Sequence, residues 1–439
     1  MTILYRIYKT IVPLISRAYF GKISKVNEDR VHRGDAIIFV ANHPSALMDP
    51  VICGSFTSVP IHFLGRADLF KKRLSNWFLR NSHMWPIYRD VDGRENLDKN
   101  EAVFKECYAS LKQGSPILLY GEGFTDEQFI RRVKKIKKGP SRIAFGAEEA
   151  YDFKLRLKII PLGINYSDPD VYGSDLLLRY GEPIEVGDLK DLFTSNPVKA
   201  MLDLTRQLEV GLLKEVIHID KKERTSVAER ILELDEHHIR YSHLQGAPSL
   251  EDRWSRTKQV VDRMNAMPDD QFTELAERSD AFWKSTGTES GQRYYFVKLL
   301  QEKRLGISMD VLLLILSFPM ALAGSALNFP VFILLNFLPG KLTRRTCFHP
   351  GMKIVLSMLL FPMYLLIPYN LLGLFVDTSW WMYFPFLIAA TLLGHIALRT
   401  RQRCIHFYHK WRASRLYDAL ENKDAINADF RALRSLAGW

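Results

Sequence analysis

The chain has 439 residues, 47% of them hydrophobic and 25% charged, and its 60 Lys and Arg against 49 Asp and Glu leave a net charge of +11. Those proportions exclude a disordered chain and one that is membranous throughout, and the length suffices for a catalytic domain plus at least one further unit. The basic excess suits an anionic partner such as phospholipid headgroups or a phosphorylated substrate. No helix-turn-helix, zinc-finger or RNA-binding signature accompanies it, so no nucleic-acid partner is expected.

Residues 1–25 open with MTILYRIYKTIVPLISRAYFGK, whose apolar run is broken by Arg6, Lys9 and Pro13 and is succeeded by no small-residue cleavage site. That argues against a signal peptide. The pattern fits a helix lying in a membrane interface with its cations reaching the headgroups. An amphipathic helix packed on the adjoining domain would read the same way. Residues 26–196 alternate short apolar strands (AIIFVAN, IHFLG, PILLYGEG, LKIIPLGINY, LLLRYGEPIEV) with a helical pattern in ENLDKNEAVFKECYASLKQG. In that helix Val103, Cys107 and Leu111 recur every fourth residue, and Gly114 stands where it should stop. Strand–helix–strand repetition predicts an α/β domain with a central, largely parallel sheet flanked by helices.

Residues 197–306 are charged, helical and poor in strand signals, with helix starts at PSLED and PDDQF. They carry no motif, and their charge runs read as solvated faces. Residues 307–400 are apolar. The stretches 354–376 and 379–398 are uncharged and long enough to cross a hydrocarbon core of about 30 Å. Between them lies Asp377, near Trp380, Trp381 and Tyr383, and basic segments flank the pair, so both flanks are expected on the cytoplasmic side and the Asp377 turn on the other. The stretch 311–340 is too short for two full spans and is interrupted by Pro319, Gly324, Asn328 and Pro330, which predicts a re-entrant hairpin in preference to one tilted span. A basic cytoplasmic tail, 401–439, completes the chain. The four cysteines, Cys53, Cys107, Cys347 and Cys404, are scattered without metal spacing and read as reduced thiols.

The chemistry is carried by four short blocks. VANHPSALMDP sets His43 after a strand and Asp49 six residues later; alone, with Asn and Pro beside them, these would read as a turn. HMWPIYRD carries Arg89 after an apolar strand. LLYGEGFTDEQFIRRVKKIKKGPSR places Glu122 and Gly123 at a strand end, then Thr125 and a basic run through Lys137 to Arg142. IIPLGINY carries Pro161.

In this order the blocks resemble those of the glycerol-3-phosphate and 1-acylglycerol-3-phosphate (lysophosphatidic acid) acyltransferases, over roughly residues 20–190. Asn42, His43, Ser45 and Asp49 match the first block, with five residues between His and Asp where the commonest form has four. That spacing is similar to a subgroup that includes bacterial proteins and looks like the fungal glycerol-3-phosphate acyltransferases. Arg89 matches the second block. The third, usually Phe-Pro-Glu-Gly, reads Tyr120-Gly121-Glu122-Gly123, so glycine replaces the proline; Thr125, Lys137, Gly139 and Arg142 match the later part of the same block.

The resemblance implies a membrane-bound O-acyltransferase of phospholipid synthesis at the cytoplasmic face. His43 and Asp49 would be catalytic, with a neutral imidazole taking the proton of the attacking hydroxyl and a carboxylate fixing its tautomer. Arg89, Glu122, Gly123, Thr125, Lys137 and Arg142 would bind substrate, Arg89 through the acceptor phosphate. Acyl-CoA or acyl carrier protein would serve as co-substrate and glycerol-3-phosphate or lysophosphatidic acid as acceptor, with no metal or other cofactor. A lysophospholipid remodelling enzyme and a non-enzymatic membrane protein on the same scaffold are the alternatives. A His/Asp metal hydrolase lacks further ligands at useful spacing.

Overall fold

The computed structural model describes residues 2–88, 98–235, 248–303, 305–306 and 308–439. Two compact units divide the chain: Met1–Arg17, Ile23–Pro169 and Leu176–His218 form one, and Ala18–Lys22, Asp170–Asp175 and Ile219–Trp439 the other.

The first unit is a sheet with helices against it. Its strands are β1 (Ile23–Val26), β2 (Ile37–Ala41), β3 (His62–Arg66), β4 (Met84–Ile87), β5 (Ile117–Tyr120), β6 (Lys158–Tyr166), β7 (Leu176–Tyr180) and β8 (Ile184–Glu185), and its helices α1 (Ile3–Tyr19), α2 (Met48–Phe56), α3 (Arg73–Asn81), α4 (Lys99–Lys112), α5 (Gly139–Ala150), α6 (Lys190–Ser195) and α7 (Pro197–Lys214). The order across the sheet is β1-β7-β6-β2-β5-β3-β4, with β8 also on β6. From β6 to β4 the neighbours run parallel, whereas β7 and β8 are antiparallel to β6. The central strand β2, IIFVA, is buried at every position, as a strand covered on both faces must be. Ile38, Val40, Ile117 and Ile159 meet Cys107 and Leu111 of α4, Ile143 and Ala147 of α5, and Leu204 and Leu208 of α7. The four-residue spacing in α4 thus points into the core, and Gly114, at φ 64°, ends that helix's last turn.

Three features of this unit go beyond what the sequence pattern shows. The domain does not end at 196: α7 packs Ala200, Leu204 and Leu208 into the sheet core, so the unit runs to His218. A charged helix with one apolar stripe reads in sequence like a solvated one. The short edge strand β1 has no fully buried residue and no alternation to announce it. The N-terminal helix packs on the domain with one face, its Tyr5 hydroxyl donating to Gly54 O at 3.3 Å and accepting from the Ile61 N–H at 3.1 Å. Its Ile3, Ile7, Ile11 and Leu14 stay exposed.

The second unit is helical: α8 (Thr225–Leu232), α9 (Leu250–Ala266), α10 (Asp269–Thr286), α11 (Ser290–Glu302), α12 (Ser308–Leu342), α13 (His349–Leu372), α14 (Tyr383–Asp418) and α15 (Lys423–Leu436). Among the described residues, three helices, within Met309–Leu342, Thr346–Leu372 and Trp380–Asp418, are long and apolar enough to cross a membrane. The re-entrant hairpin expected at 311–340 is replaced by one 35-residue helix that runs through Pro319, Pro330 and Pro339. In an apolar setting an interrupted helix strands more backbone groups than a continuous one. Asn328, which looked like a turn residue, instead donates to Gly324 O of its own helix and to Ala390 O of α14, at 2.9 and 3.1 Å. α12 and α14 pair antiparallel, so Asp310 meets Lys410 at 2.6 Å near the start of one and the end of the other. α14 also continues past its apolar part through Arg399, Arg401 and Arg403 to Asp418, so the tail expected from 401 begins inside a helix.

Candidate functional site

The site lies at the carboxyl ends of β2, β5 and β6, the side of a parallel sheet where ligands gather. β2 delivers Asn42 and His43. The Asn42 side chain extends the ladder to β6, donating to Ile164 O at 3.0 Å and accepting from the Ile164 N–H at 2.7 Å. This clamp fixes the backbone just before His43. The chain then turns through Ala46, at φ 24°, into α2, whose first turn holds Asp49. A turn and one helical turn bring the carboxylate back to the imidazole: His43 Nδ1 lies 2.7 Å from Asp49 Oδ2.

Asp49 is fully buried, and three donors surround it. Besides His43, the Ser45 N–H donates to Oδ2 at 2.9 Å and the Tyr166 hydroxyl to Oδ1 at 2.9 Å. A buried carboxylate needs such partners to offset the loss of its hydration. Ser45 contributes its backbone rather than a side-chain cap, since Leu47 precedes α2 without a capping hydrogen bond. The His43 ring stacks on Tyr120 at the end of β5, with centroids 3.9 Å apart and planes 12° from parallel. Burial holds the Tyr120 phenol well above its ordinary value, so it stays neutral beside the imidazole. With Nδ1 engaged by the carboxylate, Nε2 of a neutral His43 is the free acceptor, and the ring is partly open to solvent.

Glu122 is buried, and both its oxygens meet backbone donors: the His43 N–H at 2.7 Å and the Lys134 N–H at 2.9 Å. Burial raises its pKa, against the lowering effect of those two bonds. The carboxylate therefore staples the His43 loop to the basic segment 130–138. Gly123 adopts φ 79°, a conformation that favours glycine, and lets the chain leave β5 sharply. Gly121, in place of the family's proline, sits where a Cβ would come within 2.9 Å of Ile136 and 3.1 Å of Val40, so close packing replaces ring stiffness there.

Thr125 is buried. Lys137 donates its backbone N–H to Gly121 O at 2.9 Å, and its stem passes Gly123 while the side chain remains exposed. Arg142 is exposed in the first turns of α5. Arg89 lies outside the described residues. The residue before it is pinned, because Tyr88 exchanges two hydrogen bonds with the Asn100 side chain of α4, at 2.9 and 2.8 Å.

Sequence reasoning did not assign Tyr120, Tyr166 or Arg131. The buried Arg131 guanidinium donates to Tyr166 O and Ser167 O, both at 2.8 Å, and anchors the basic segment to β6. A buried Tyr hydroxyl at a strand end needs a partner, but nothing in the sequence names Asp49 as that partner. A cavity of about 20 Å³ borders Asn42, Glu122, Arg131 and Tyr166, room for one water. It does not serve as the apolar acyl slot that a fatty acyl substrate calls for.

Residues 22–165 match the model of the family described as Acyltransferase. Among solved structures the chain is similar to the 1-acyl-sn-glycerophosphate (LPA) acyltransferase PlsC from Thermotoga maritima, with 17% identity, a TM-score of 0.34, and coverage of 48% of this chain and 78% of that one. Comparison with curated proteins finds no match. The matched segment, 22–165, is the one that brings His43, Asp49 and Glu122 together at the ends of β2 and β5.

Proposed function

We propose that the protein is a membrane-bound acyltransferase that moves a fatty acyl chain from a thioester, acyl-CoA or acyl carrier protein, to a hydroxyl of glycerol-3-phosphate or 1-acylglycerol-3-phosphate. The reading uses no metal or other cofactor. The observation that carries it is the His43–Asp49 pair, 2.7 Å apart, with Nε2 of the imidazole left as the acceptor. His43 Nε2 takes the acceptor hydroxyl's proton as that oxygen attacks the thioester carbon. Asp49 holds the tautomer and balances the imidazolium. Collapse of the tetrahedral adduct breaks the carbon–sulfur bond, and the imidazolium returns the proton to the departing thiolate. The acceptor hydroxyl takes the nucleophile's part, so no acyl-enzyme forms.

Glu122 positions His43 in this reading through the backbone N–H it accepts from, and each of its oxygens keeps a lone pair for the acceptor. Arg89 pairs with the acceptor phosphate. Lys137 and Arg142 supply further positive charge, and Gly123 and Thr125 shape the loop between them. The catalytic unit faces the cytoplasm, where the thioester donor is made available.

The test is an assay of purified protein with labelled acyl-CoA and either acceptor, separating products by chromatography. One of the two is expected to be acylated, and His43→Ala to lower the rate by about 10³-fold. A folded His43→Ala protein that keeps a tenth of the rate would overturn the base assignment. Acylation only of lysophospholipids bearing a headgroup would move the protein to the remodelling class.

A further inference from the structure

The helix α3 is built inside out. Its apolar residues Leu74, Trp77 and Phe78 fall at i, i+3 and i+4, the spacing of a stripe that ordinarily faces a core. Here that stripe faces outward: Leu74 is 77% exposed, Trp77 58% and Phe78 44%, and no residue of the helix is buried. Just before it, Leu69 is 43% exposed. A contiguous apolar surface that a folded domain leaves open marks a place where something else covers it.

The charges around the stripe say what covers it. Lys71, Lys72, Arg73 and Arg80 flank it, and residues 69–83 contain no Asp or Glu. A second helix of the same unit repeats the design. α1 exposes Ile3, Ile7, Ile11 and Leu14 along one side and carries Arg6, Lys9 and Arg17 with no acidic residue. The two helices meet: the Thr2 hydroxyl donates to Asn81 O at 2.5 Å, and Tyr5 stacks on His83, just beyond α3, at 4.0 Å. Apolar stripes with a bulky aromatic, rimmed only by cations, suit the boundary between acyl chains and anionic headgroups. A protein partner would more often meet a mixed rim of both charges.

We propose that α3, together with α1, seats the catalytic domain directly on the bilayer. The Leu74–Trp77–Phe78 stripe lies among the acyl chains, and Lys71, Lys72, Arg73 and Arg80 hold anionic headgroups. This contact is separate from the membrane-spanning helices and brings the domain to the surface where an amphiphilic substrate resides. It shares with the proposed function only the premise that the protein works at a membrane. The test reads depth rather than turnover, so the two can fail independently.

Full-length protein carrying Cys404→Ser receives a single new cysteine at Leu74, Phe78 or, as a control, Lys105 on the exposed side of α4. Each variant is labelled with a small fluorophore and reconstituted in phosphatidylcholine vesicles with about 30% phosphatidylglycerol. Brominated lipid is expected to quench the labels at 74 and 78 by roughly two-fold or more and to spare the label at 105, while aqueous iodide does the reverse. Lys71→Glu with Lys72→Glu is expected to weaken the lipid quenching at 74. Iodide access at 74 and 78 with no quenching by brominated lipid overturns the proposal. So does efficient disulfide formation between two Leu74→Cys chains in detergent, which would make the occupant a second copy.

Discussion

His43 is placed by contacts that reach it second-hand. Asp49 holds its ring, Glu122 holds its backbone N–H, and Tyr166 holds Asp49 from β6, 117 residues away in the chain. A hydrogen bond to a charged group contributes about 1.5–3 kcal/mol. Tyr166→Phe is therefore expected to lower kcat by about 10-fold or more while leaving acceptor KM near its starting value. Initial rates against acceptor concentration check this, and a rise in KM with kcat unchanged would instead give Tyr166 a part in binding.

A second cluster on the same unit predicts a pH effect. The rings of Tyr5, His83, His62 and Trp85 form a continuous stack with neighbouring centroids 4.0, 4.5 and 4.4 Å apart. Burial pushes both imidazoles down to about 4. The unfolded chain takes up those protons near pH 6.5, so between pH 6.5 and 4 it binds more protons than the native state, and stability falls as pH falls. Above pH 6.5 the contribution is complete, and below 4 it declines no further. Solvent screening limits the pair to on the order of 1–3 kcal/mol. Thermal melts from pH 7 to 4 are expected to decline less steeply in His62→Gln/His83→Asn than in wild type. Asn suits position 83 because His83 has φ 62°. Parallel slopes would mean that the stack does not resist protonation.

Among elements, the α12–α14 pair packs through missing side chains. A Cβ at Gly324 would come within 2.1 Å of Leu393 O, and one at Gly394 within 2.9 Å of the Asn328 amide. Close approach of backbones through small residues is a usual way for apolar helices to associate where water offers no drive. Gly324→Leu is expected to destabilise the detergent-solubilised protein by about 1–3 kcal/mol or more, since backbone cannot move aside as a side chain can. A melting temperature equal to that of wild type would show that the helices pack elsewhere. The neighbouring Asn328, read in sequence as a break, bonds across this contact.

At the scale of the whole molecule, the antiparallel pairing of Asp310 with Lys410 sets the start of α12 and the charged extension of α14 at one end of that helix pair. The replaced hairpin no longer fixes the side of the basic segment after α12, but α14 still separates its two ends. Cys404 is exposed, and Cys53, Cys107 and Cys347 are buried. In sealed cells an impermeant thiol reagent is expected to reach Cys404 only after permeabilisation, and a cysteine at Thr378, in a Cys404→Ser background, beforehand. The opposite order would reverse the expected orientation of α14.

The sequence by itself determined what local pattern can encode. Short apolar runs and a period of nearly four residues predicted the central strands and α4. The resemblance of four short blocks to known acyltransferases singled out His43 and Gly123, and uncharged runs of about 20 residues located the apolar helices. It also supplied the His–Asp pair, because their meeting needs only one turn and the first turn of α2. Tertiary structure decided what depends on distant partners. Tyr166 reaches Asp49 only because β6 lies beside β2, and Glu122 turns to the His43 N–H only because β5 lies on its other side. Likewise, α7 joined the core because the sheet offered its stripe an apolar face, and α3 did not, because its stripe points outward. Both helices are amphipathic in sequence, and amphipathicity states that a face will be covered without stating by what.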